Sequence, residues 1–468
     1  MAEAFGHNNS EDNQTHRIAQ EFEDKFRKNE FIFLDMGRVN RIFEFYAEAQ
    51  EWRKAKALIE FALETYPNNG ELYFKKAYLY FEMSRFSMAE RAIEHSLVLS
   101  PFTYEYLSLK SDILARLGKY EEAIENLKVC FAFATRVDEI YLQMGNVAQI
   151  CRRPKESESY YREALHRNNS FEEAVVELAY LFESEDKIEG AISLCKEYLD
   201  EHPYAYKIWF IQAKLHQKVH QLEEALEAYD FVIVIKEDFE QAYVKKGELL
   251  MEMGNYEEGL RSLLSANALQ QSNIHTLYHI GECFEQLESF TDAFKYFTKV
   301  TKQDPDYFDA WVGMGFCLER RDKFLEAIHY YQKAFNIDEE NADLCLSLAV
   351  CEYKLGQRYN AYLYLEKAIG LTPNEASLWL DWAQVLFDHD NHVGAVTYLE
   401  EGIKLNPQIA SLYYYCAAYC YKAGYKDKAF TYLENALLLD FKEHSLLFDL
   451  IPELKEVSEL MELIESYK

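Results

Sequence analysis

The stretch Asp309–Phe335, DAWVGMGFCLERRDKFLEAIHYYQKAF, places apolar residues on both sides of a charged segment, Arg320–Lys323. The apolar and small residues recur three or four positions apart, at Trp311, Met314, Gly315 and Leu318 and again at Phe324, Ala327, Tyr331 and Ala334. This spacing is that of one face of an α-helix. The stretch therefore predicts two amphipathic helices joined by a short turn, which is a helical hairpin.

The same pattern recurs with a period of 34 residues from Met36 to Glu443, twelve times and without an insertion or deletion. The units begin at Met36, Gly70, Tyr104, Asp138, Glu172, Tyr206, Glu240, Ile274, Phe308, Ala342, Ala376 and Ala410. Position 20 of every unit is small: it is Ser157 in the fourth, Gly259 in the seventh and Ala in the others. A fixed period of this length is typical of a solenoid, in which each unit packs on its neighbours.

The turn residues have the same period. Gly118, Gly254, Gly356 and Gly424 lie at position 15, between the two helices, where a left-handed residue is needed. Six of the eight prolines lie at position 32, after the second helix, where proline prevents the helix from continuing. The fourth unit departs from this pattern, because Pro154 replaces the aromatic residue at position 17 within the basic segment 151–155. We expect a local distortion there, with a partner contact, a bend and simple loop variation as the alternative reasons.

The pattern resembles the tetratricopeptide repeat, which has an aromatic residue or Leu at position 4, Gly or Ala at 8, Ala at 20 and Pro at 32. The resemblance covers residues 36–443. It implies an all-α fold, a right-handed α-solenoid of antiparallel helical hairpins. It also implies that the first helices line a concave groove for an extended peptide or a partner helix, with unit positions 2, 5, 9, 12 and 13 facing it. The Lys, Asn and Arg set by which some relatives hold C-terminal carboxylates is missing from these positions.

The groove positions of this chain are largely aromatic and acidic. The candidate peptide-binding residues are Phe74, Tyr78, Phe81, Tyr180, Phe210, Tyr278, Phe316, Phe387, Tyr414 and Tyr421. Acidic residues recur at position 2 and at positions 12 or 13. Such a groove suits a segment with apolar anchors and Lys or Arg flanks. The alternative is that residues at positions 5 and 9 pack against the first helix of the next unit.

Composition limits the partners and the compartment. The chain has 80 Asp and Glu against 49 Lys and Arg, a net charge of −31, which disfavours nucleic-acid and anionic membrane partners. The nine cysteines have no C-x-x-C spacing, and no long apolar run or signal peptide is present, so the prediction is a reducing, cytoplasmic location. His389 and His392 have a spacing that a metal could use, but a structural role is the better interpretation.

The ends of a solenoid need caps, because the terminal repeats otherwise expose an apolar face. We predict a disordered N-terminus over 1–14, a capping helix over 15–35 and a C-terminal capping helix over 444–468 that is interrupted at Pro452. No phosphate-binding loop, nucleophile elbow or metal-ligand motif occurs, so the sequence predicts no enzyme, no cofactor and no metal site. The leading hypothesis is a non-catalytic scaffold or adaptor for protein or peptide partners. A ligand-responsive regulator, or a regulatory subunit of a larger enzyme or secretion assembly, is the alternative, and the oligomeric state is left open.

Overall fold

The structure is a computed structural model that describes residues 4–28, 32–269 and 273–467. The described chain contains helices and turns, with no strand in those ranges. It divides into two compact units, Met1–Glu237 and Asp238–Lys468. Each unit contains six consecutive helical hairpins, so the all-α solenoid architecture is confirmed.

The first compact unit begins with α1 (Ala4–Arg27) and continues with the first six hairpins. Their helices are α2 (Met36–Glu48), α3 (Trp52–Thr65), α4 (Gly70–Glu82), α5 (Phe86–Leu99), α6 (Tyr104–Arg116), α7 (Tyr120–Cys130), α8 (Val137–Ile150), α9 (Pro154–Arg167), α10 (Glu172–Ser184), α11 (Ile188–Glu201), α12 (Tyr206–Lys218) and α13 (Leu222–Ile235). Even-numbered helices are the first helices of the hairpins, and odd-numbered helices are the second.

The second compact unit has the same arrangement. Its hairpins consist of α14 (Glu240–Glu252), α15 (Tyr256–Leu269), α16 (Ile274–Gln286), α17 (Phe290–Gln303), α18 (Phe308–Glu319), α19 (Phe324–Phe335), α20 (Ala342–Lys354), α21 (Arg358–Leu371), α22 (Ala376–Asp388), α23 (His392–Leu405), α24 (Ala410–Lys422) and α25 (Lys426–Leu439). A 3₁₀ turn (Phe441–Ser445), α26 (Leu446–Leu450), a second 3₁₀ turn (Pro452–Glu456) and α27 (Ser458–Ser466) follow.

Position 15 adopts a positive φ in every hairpin, whether or not it is glycine. The four glycines predicted there have φ between 75° and 87°, and the eight other residues, among them Arg152 and Asp322, have φ between 54° and 60°. An L-residue pays a modest steric cost for this conformation. The turn geometry is therefore fixed by the packing of the two helices, and glycine only makes it easier to reach.

The packing of the two helices rests on a size relation between positions 8 and 24. A Cβ built on Gly145 would lie 2.2 Å from Cε1 of Tyr161, and one on Gly315 would lie 2.4 Å from Cδ1 of Tyr331. Both tyrosines are at position 24, and both are almost completely buried. Glycine at position 8 therefore provides the space that the ring of position 24 occupies.

The distortion predicted in the fourth unit is not found there. Pro154 is the first residue of α9, where the missing N–H would have no helical partner in any case. The guanidinium of Arg153 lies 4.0 Å from the ring of Tyr120 and pairs with Glu121, so it holds the fourth hairpin against the third. The irregular element is α7, which ends early at Cys130 and is followed by turns up to Arg136.

Both ends of the solenoid are covered, with boundaries that differ from the predicted ones. Helix α1 begins at Ala4, inside the segment 1–14 for which disorder is predicted, and it ends at Arg27, before residue 35. Its Ala19 and Phe22 are buried, and the hydroxyl of Tyr46 in the first hairpin donates to Glu23 at 3.1 Å. Residues 29–31 of the predicted capping segment 15–35 lie outside the described residues.

The C-terminal cap starts at Phe441, before residue 444, and consists of short helical pieces instead of one helix. Pro452 is the first residue of the second 3₁₀ turn, so the interruption is located where the sequence predicts it. Leu447, Leu454 and Leu460 are buried in the same core cluster as the twelfth hairpin. The chain has to turn repeatedly because these apolar residues all point to one end of the hairpin stack.

Candidate functional site

The first helices of neighbouring hairpins contact one another inside each compact unit, as α4 does with α6, α16 with α18 and α22 with α24. They therefore form a layer, which we call the first-helix layer. Positions 2, 5, 9, 12 and 13 of the repeat lie on these helices. The structure thus provides the surface that the repeat predicts, and the question is which side chains on it are exposed.

Seven of the ten candidate aromatic residues are half-buried: Phe74, Tyr78, Phe81, Phe210, Tyr278, Phe387 and Tyr421. Several of these rings pack on another ring of the chain. Phe74 stacks on Tyr106 of the next hairpin at a centroid distance of 4.7 Å, and Phe387 stacks on Tyr419 of the next hairpin at 4.1 Å. For Phe74 and Phe387 the packing interpretation holds, because one face of each ring is covered by an aromatic ring of the next repeat.

Tyr414 is wrong as a candidate groove residue. Its side chain is completely buried, and its hydroxyl donates a hydrogen bond of 2.8 Å to the carbonyl oxygen of Asp440. Tyr414 lies at position 5 of its hairpin. In the last hairpin the C-terminal cap covers this position, so Tyr414 became part of the core.

Two candidates, Tyr180 and Phe316, are exposed, with 37% and 36% of their surface accessible. Their surroundings differ. The ammonium of Lys214 in the next hairpin lies 5.5 Å from the centre of the Tyr180 ring, so a cation already occupies one side of that ring. Phe316 makes an edge contact with Phe290 at 6.2 Å and has no cation over its ring among the described contacts.

Carboxylates near Phe316 lie close together in the second compact unit. His279 is 2.7 Å from Glu282 and 3.9 Å from Glu248 of the preceding hairpin, so one imidazole lies between two acids. Glu282 and Asp309 both raise the pKa of Tyr278, which places them beside that ring. Asp309 and Asp343 are exposed and form no ion pair in the described part of the chain. An acidic wall is therefore present along α16, α18 and α20.

Some of the corresponding acids in the first compact unit have a cation or an amide as partner. Glu139 pairs with Arg136 at 2.5 Å, and Glu183 pairs with Lys218 of the next hairpin. The amide of Asn40 donates to Glu71 at 2.8 Å. The sequence predicts acidic walls in both halves. Glu105 and Glu173 in the first compact unit, like Asp309 and Asp343 in the second, form no ion pair among the described residues, while Glu248 in the second unit pairs with Lys245 at 2.6 Å.

Glu285 is the carboxyl group near this acidic wall whose pKa is changed most clearly by its surroundings. Burial, with a smaller contribution from Glu282, raises its pKa to about 7. The same carboxylate helps to raise the pKa of the Cys317 thiol on α18, next to Phe316. Glu285 is therefore about half ionised near neutral pH, at the base of the acidic wall.

This pKa predicts that Glu285→Gln stabilises the protein at alkaline pH. An acid with a raised pKa in the folded state contributes stability below its unfolded pKa, and this contribution is lost as the pH rises through the folded value. We expect Glu285→Gln to gain about 1–3 kcal/mol over wild type at pH 8, and this gain to disappear below about pH 4, where the carboxyl is protonated in both the folded and the unfolded state. Urea unfolding at several pH values measures it, with the exposed Glu257→Gln as a control whose difference from wild type should not change with pH. A constant difference for Glu285→Gln would show that the carboxyl is not perturbed.

Tyrosines at position 24 make a second set of contacts that the sequence pattern did not indicate. The hydroxyl of Tyr331 donates to Glu319 at 2.7 Å, and that of Tyr161 donates to Gln149 at 2.8 Å. Glu319 and Gln149 are both at position 12, which the repeat assigns to the groove. In each case the tyrosine hydroxyl of the second helix holds the position-12 side chain of the first helix. The contact forms only when the two helices pack together, so the sequence pattern did not show it.

The histidine and cysteine side chains of the described residues form no metal site and no disulfide. No group of three or more His, Cys, Asp or Glu side chains is placed to hold a metal ion there. All nine cysteines are unpaired thiols. No helix in the described ranges is both long and apolar enough to cross a bilayer. His389 and His392 pack against the rings of Tyr353 and Phe387, at 5.3 and 4.5 Å.

Comparison with known proteins gives relatives built from similar repeats. The chain is 30% identical over 114 residues to anaphase-promoting complex subunit 7 of Dictyostelium discoideum, a match that covers 24% of this chain and 20% of that protein. The chain thus spans about a fifth of the length of this curated relative. Among solved structures, YrrB, described as a TPR protein with an unusual peptide-binding site, is 22% identical with a TM-score of 0.36, covering 39% of this chain and 95% of that one. MamA is 19% identical with a TM-score of 0.35, covering 37% of this chain and 94% of that one.

Family models of the tetratricopeptide repeat match residues 74–128 and 244–308, and another matches residues 342–375. The matched segments are in both compact units and are in register with the 34-residue period. The hairpins between and beside them have the same helices, the same left-handed turn residue and the same small residues at the helix contact. The chain contains tetratricopeptide repeats in these matched segments, and its remaining hairpins have the same architecture.

Proposed function

We propose that this chain is a non-catalytic scaffold that holds a polypeptide segment of a partner protein on the first-helix layer of residues 238–468. The observation that carries the proposal is the exposed ring of Phe316, together with the exposed carboxylates of Asp309 and Asp343, which form no ion pair among the described residues. The segment would carry apolar residues for Phe316 and for the half-buried ring of Tyr278. It would carry Lys or Arg for Glu282, Asp309 and Asp343.

Aromatic and acidic groups have different roles in such a site. An aromatic anchor that becomes desolvated in the complex supplies most of the affinity. The exposed carboxylates contribute less, because ion pairs at a surface are worth about 0–1 kcal/mol each and are screened by salt. Their main effect is to select basic segments and to speed association. We therefore expect affinity to depend mainly on Phe316, and the preference for basic segments to depend on the carboxylates.

The anchor is tested with a fluorescent peptide that alternates Leu or Phe with Lys or Arg. Phe316→Ala should weaken its binding about tenfold or more, since a central aromatic anchor is worth about 2 kcal/mol. Tyr180→Ala is the matched control, because Tyr180 has the same exposure but lies beneath Lys214 in the other compact unit. Equal effects of the two substitutions, or no effect of Phe316→Ala in an unchanged fold, would contradict the proposal.

The acidic wall is tested separately by neutralisation. Asp309→Asn with Asp343→Asn should reduce binding of the basic peptide about three- to tenfold at low salt, with a smaller effect at high salt. Asp322→Asn with Asp390→Asn removes the same charge from position 15 of two hairpins and keeps a side chain that tolerates positive φ. This control should leave binding nearly unchanged. A matching loss in the control would mean that only the net charge of the chain attracts the peptide.

A further inference from the structure

A second surface of opposite charge lies at the turns between the first and second helices of the ninth and tenth hairpins. We call it the basic edge and define it by Arg320, Arg321, Lys323, Lys354 and Arg358. All five side chains are exposed. Lys323 pairs with Glu326 at 3.0 Å, while Arg320, Arg321 and Arg358 form no ion pair in the described part of the chain. Asp322 in the same turn is exposed as well, and Lys354 and Arg320 lie near Glu319, so carboxylates accompany these cations; Arg321 and Arg358 are left without an ion pair in a chain of net charge −31.

Exposed apolar side chains lie beside these cations. Position 18, at the start of the second helix, is Leu325, Tyr359 and Val393 in three successive hairpins, with exposures of 70%, 77% and 58%. In the other nine hairpins this position is polar or charged: Arg53, Ser87, Glu121, Lys155, Glu189, Glu223, Glu257, Thr291 and Asp427. The change of character at one solvent-facing position, in consecutive repeats, requires a reason other than packing, because these side chains contribute little to the core.

Contacts between neighbouring turns make this surface continuous. The ammonium of Lys354 in the tenth hairpin lies 5.2 Å from the ring centre of Phe324 in the ninth, next to Leu325. The ring of Tyr353 lies 5.3 Å from His389 of the eleventh hairpin, and the guanidinium of Arg358 lies 6.0 Å from the same ring. The cations and the apolar residues of three hairpins therefore lie along one edge of the second compact unit.

We propose that the basic edge is a second docking surface and that it binds an acidic polypeptide segment with apolar residues. Guanidinium groups pair with carboxylates in bidentate geometry, which favours Asp and Glu as the partner charges. Leu325, Tyr359 and Val393 provide the apolar contact that a polypeptide uses and that a phosphate backbone does not. The large negative charge of the rest of the chain repels long polyanions, while a short segment bound at this edge is screened from most of that charge and can pair with Arg321 and Arg358.

The direct test uses a fluorescent peptide that alternates Glu with Leu and Tyr, added to the full chain. Arg321→Glu with Arg358→Glu should weaken its binding at least tenfold, as should Leu325→Ser with Tyr359→Ser. Arg358 is the first residue of α21, where Glu is favourable, so this substitution is compatible with folding. The matched control is Arg152→Glu with Lys155→Glu, which reverses two exposed cations in the turn of the fourth hairpin, where no apolar residue stands at position 18. It should change binding less than twofold.

Three results would overturn the proposal. Binding of the acidic peptide could be unaffected by the charge reversal at the basic edge, or affected equally by the control. Binding could also be lost only through the charged residues, with Leu325→Ser and Tyr359→Ser having no effect. Finally, a single-stranded DNA oligonucleotide or vesicles with phosphatidylserine could bind through Arg321 and Arg358 in preference to the peptide. That last outcome would assign the edge to phosphate groups.

Discussion

Replacing Tyr414 with alanine should destabilise the second compact unit by about 3–5 kcal/mol, the range for removal of a large buried aromatic side chain. The ring is completely buried between the twelfth hairpin and the C-terminal cap, and its hydroxyl holds the carbonyl of Asp440 at 2.8 Å. Asp440 in turn accepts a hydrogen bond from the backbone N–H of Lys442 at the first 3₁₀ turn. The alanine variant therefore loses core packing and the point at which the cap attaches.

Two controls separate these contributions. Tyr414→Phe keeps the ring and loses only the hydrogen bond, so we expect a cost of about 1 kcal/mol. Tyr421→Ala removes a half-buried ring from the same helix, where Lys426 lies 5.6 Å from the ring centre, and should cost clearly less than Tyr414→Ala. Urea unfolding followed by circular dichroism and by the fluorescence of Trp379 and Trp382 gives the free energies. If the Tyr414→Ala protein were as stable as wild type, Tyr414 would not be a core residue and would again be a candidate groove residue.

Gly281→Ala should destabilise the second compact unit by about 1–3 kcal/mol through overpacking. The ring of Phe297, which is 1% exposed, lies between two glycines of neighbouring hairpins. A Cβ on Gly281 would be 2.6 Å from Cε1 of this ring, and a Cβ on Gly313 would be 2.6 Å from Cε2. The ring has no room to move away from either side, so the backbones of two hairpins would have to separate.

A double-mutant cycle shows whether this close approach is the cause. Phe297→Leu alone leaves a gap and should also destabilise, but Gly281→Ala with Phe297→Leu should cost less than the sum of the two single changes, because the methyl group fills part of the space. Gly370→Ala is the matched control, since a Cβ there meets nothing within 4 Å. It should be neutral or stabilising, as expected for Gly to Ala inside a helix. Additive single effects would show that the helices relax independently.

Both proposed docking surfaces follow from the repeat architecture, in which side chains outside the packing positions are free to vary. The packing positions 4, 8, 20 and 24 have the same character in almost every hairpin. The exposed rings and charges do not: no cation lies over the ring of Phe316 among the described contacts, Tyr180 lies beneath Lys214, and the basic edge is confined to the ninth and tenth hairpins. In a chain of this kind, different partners can bind to different repeats. Experiments with single repeats changed in the full chain will therefore be more informative than truncations.

Much of the fold could be predicted from the sequence, because the signals involved are local. Helical spacing, glycine at position 15 and proline at position 32 act within one hairpin, and the hairpins form at the predicted residues. The cap boundaries were less accurate, since the ends of the solenoid lack the repeat that fixes the register elsewhere. The fourth hairpin was expected to be distorted because Pro154 breaks the pattern, yet proline as the first residue of α9 costs the helix nothing.

The candidate site was predicted only in part. Sequence position assigned all ten aromatic residues to first helices, but it could not give the exposure of Phe316 or the burial of Tyr414. Exposure at positions 5 and 9 depends on the neighbouring hairpin, or on the cap where the hairpins end. The net charge of the acidic wall likewise depends on which acids form an ion pair with a cation of the next repeat, as Glu183 does with Lys218.

The sequence by itself determined the hairpin, its period and its close helix contacts, because each of these is set by residues fewer than 34 positions apart. Only the tertiary structure decided which groove residues remain available to a partner. It placed Tyr414 under the cap, Phe74 against Tyr106 and Lys354 beside Phe324, all through contacts between successive repeats or with the cap. A periodic sequence specifies what is the same in every repeat, while burial and charge pairing at the surface depend on the particular neighbour.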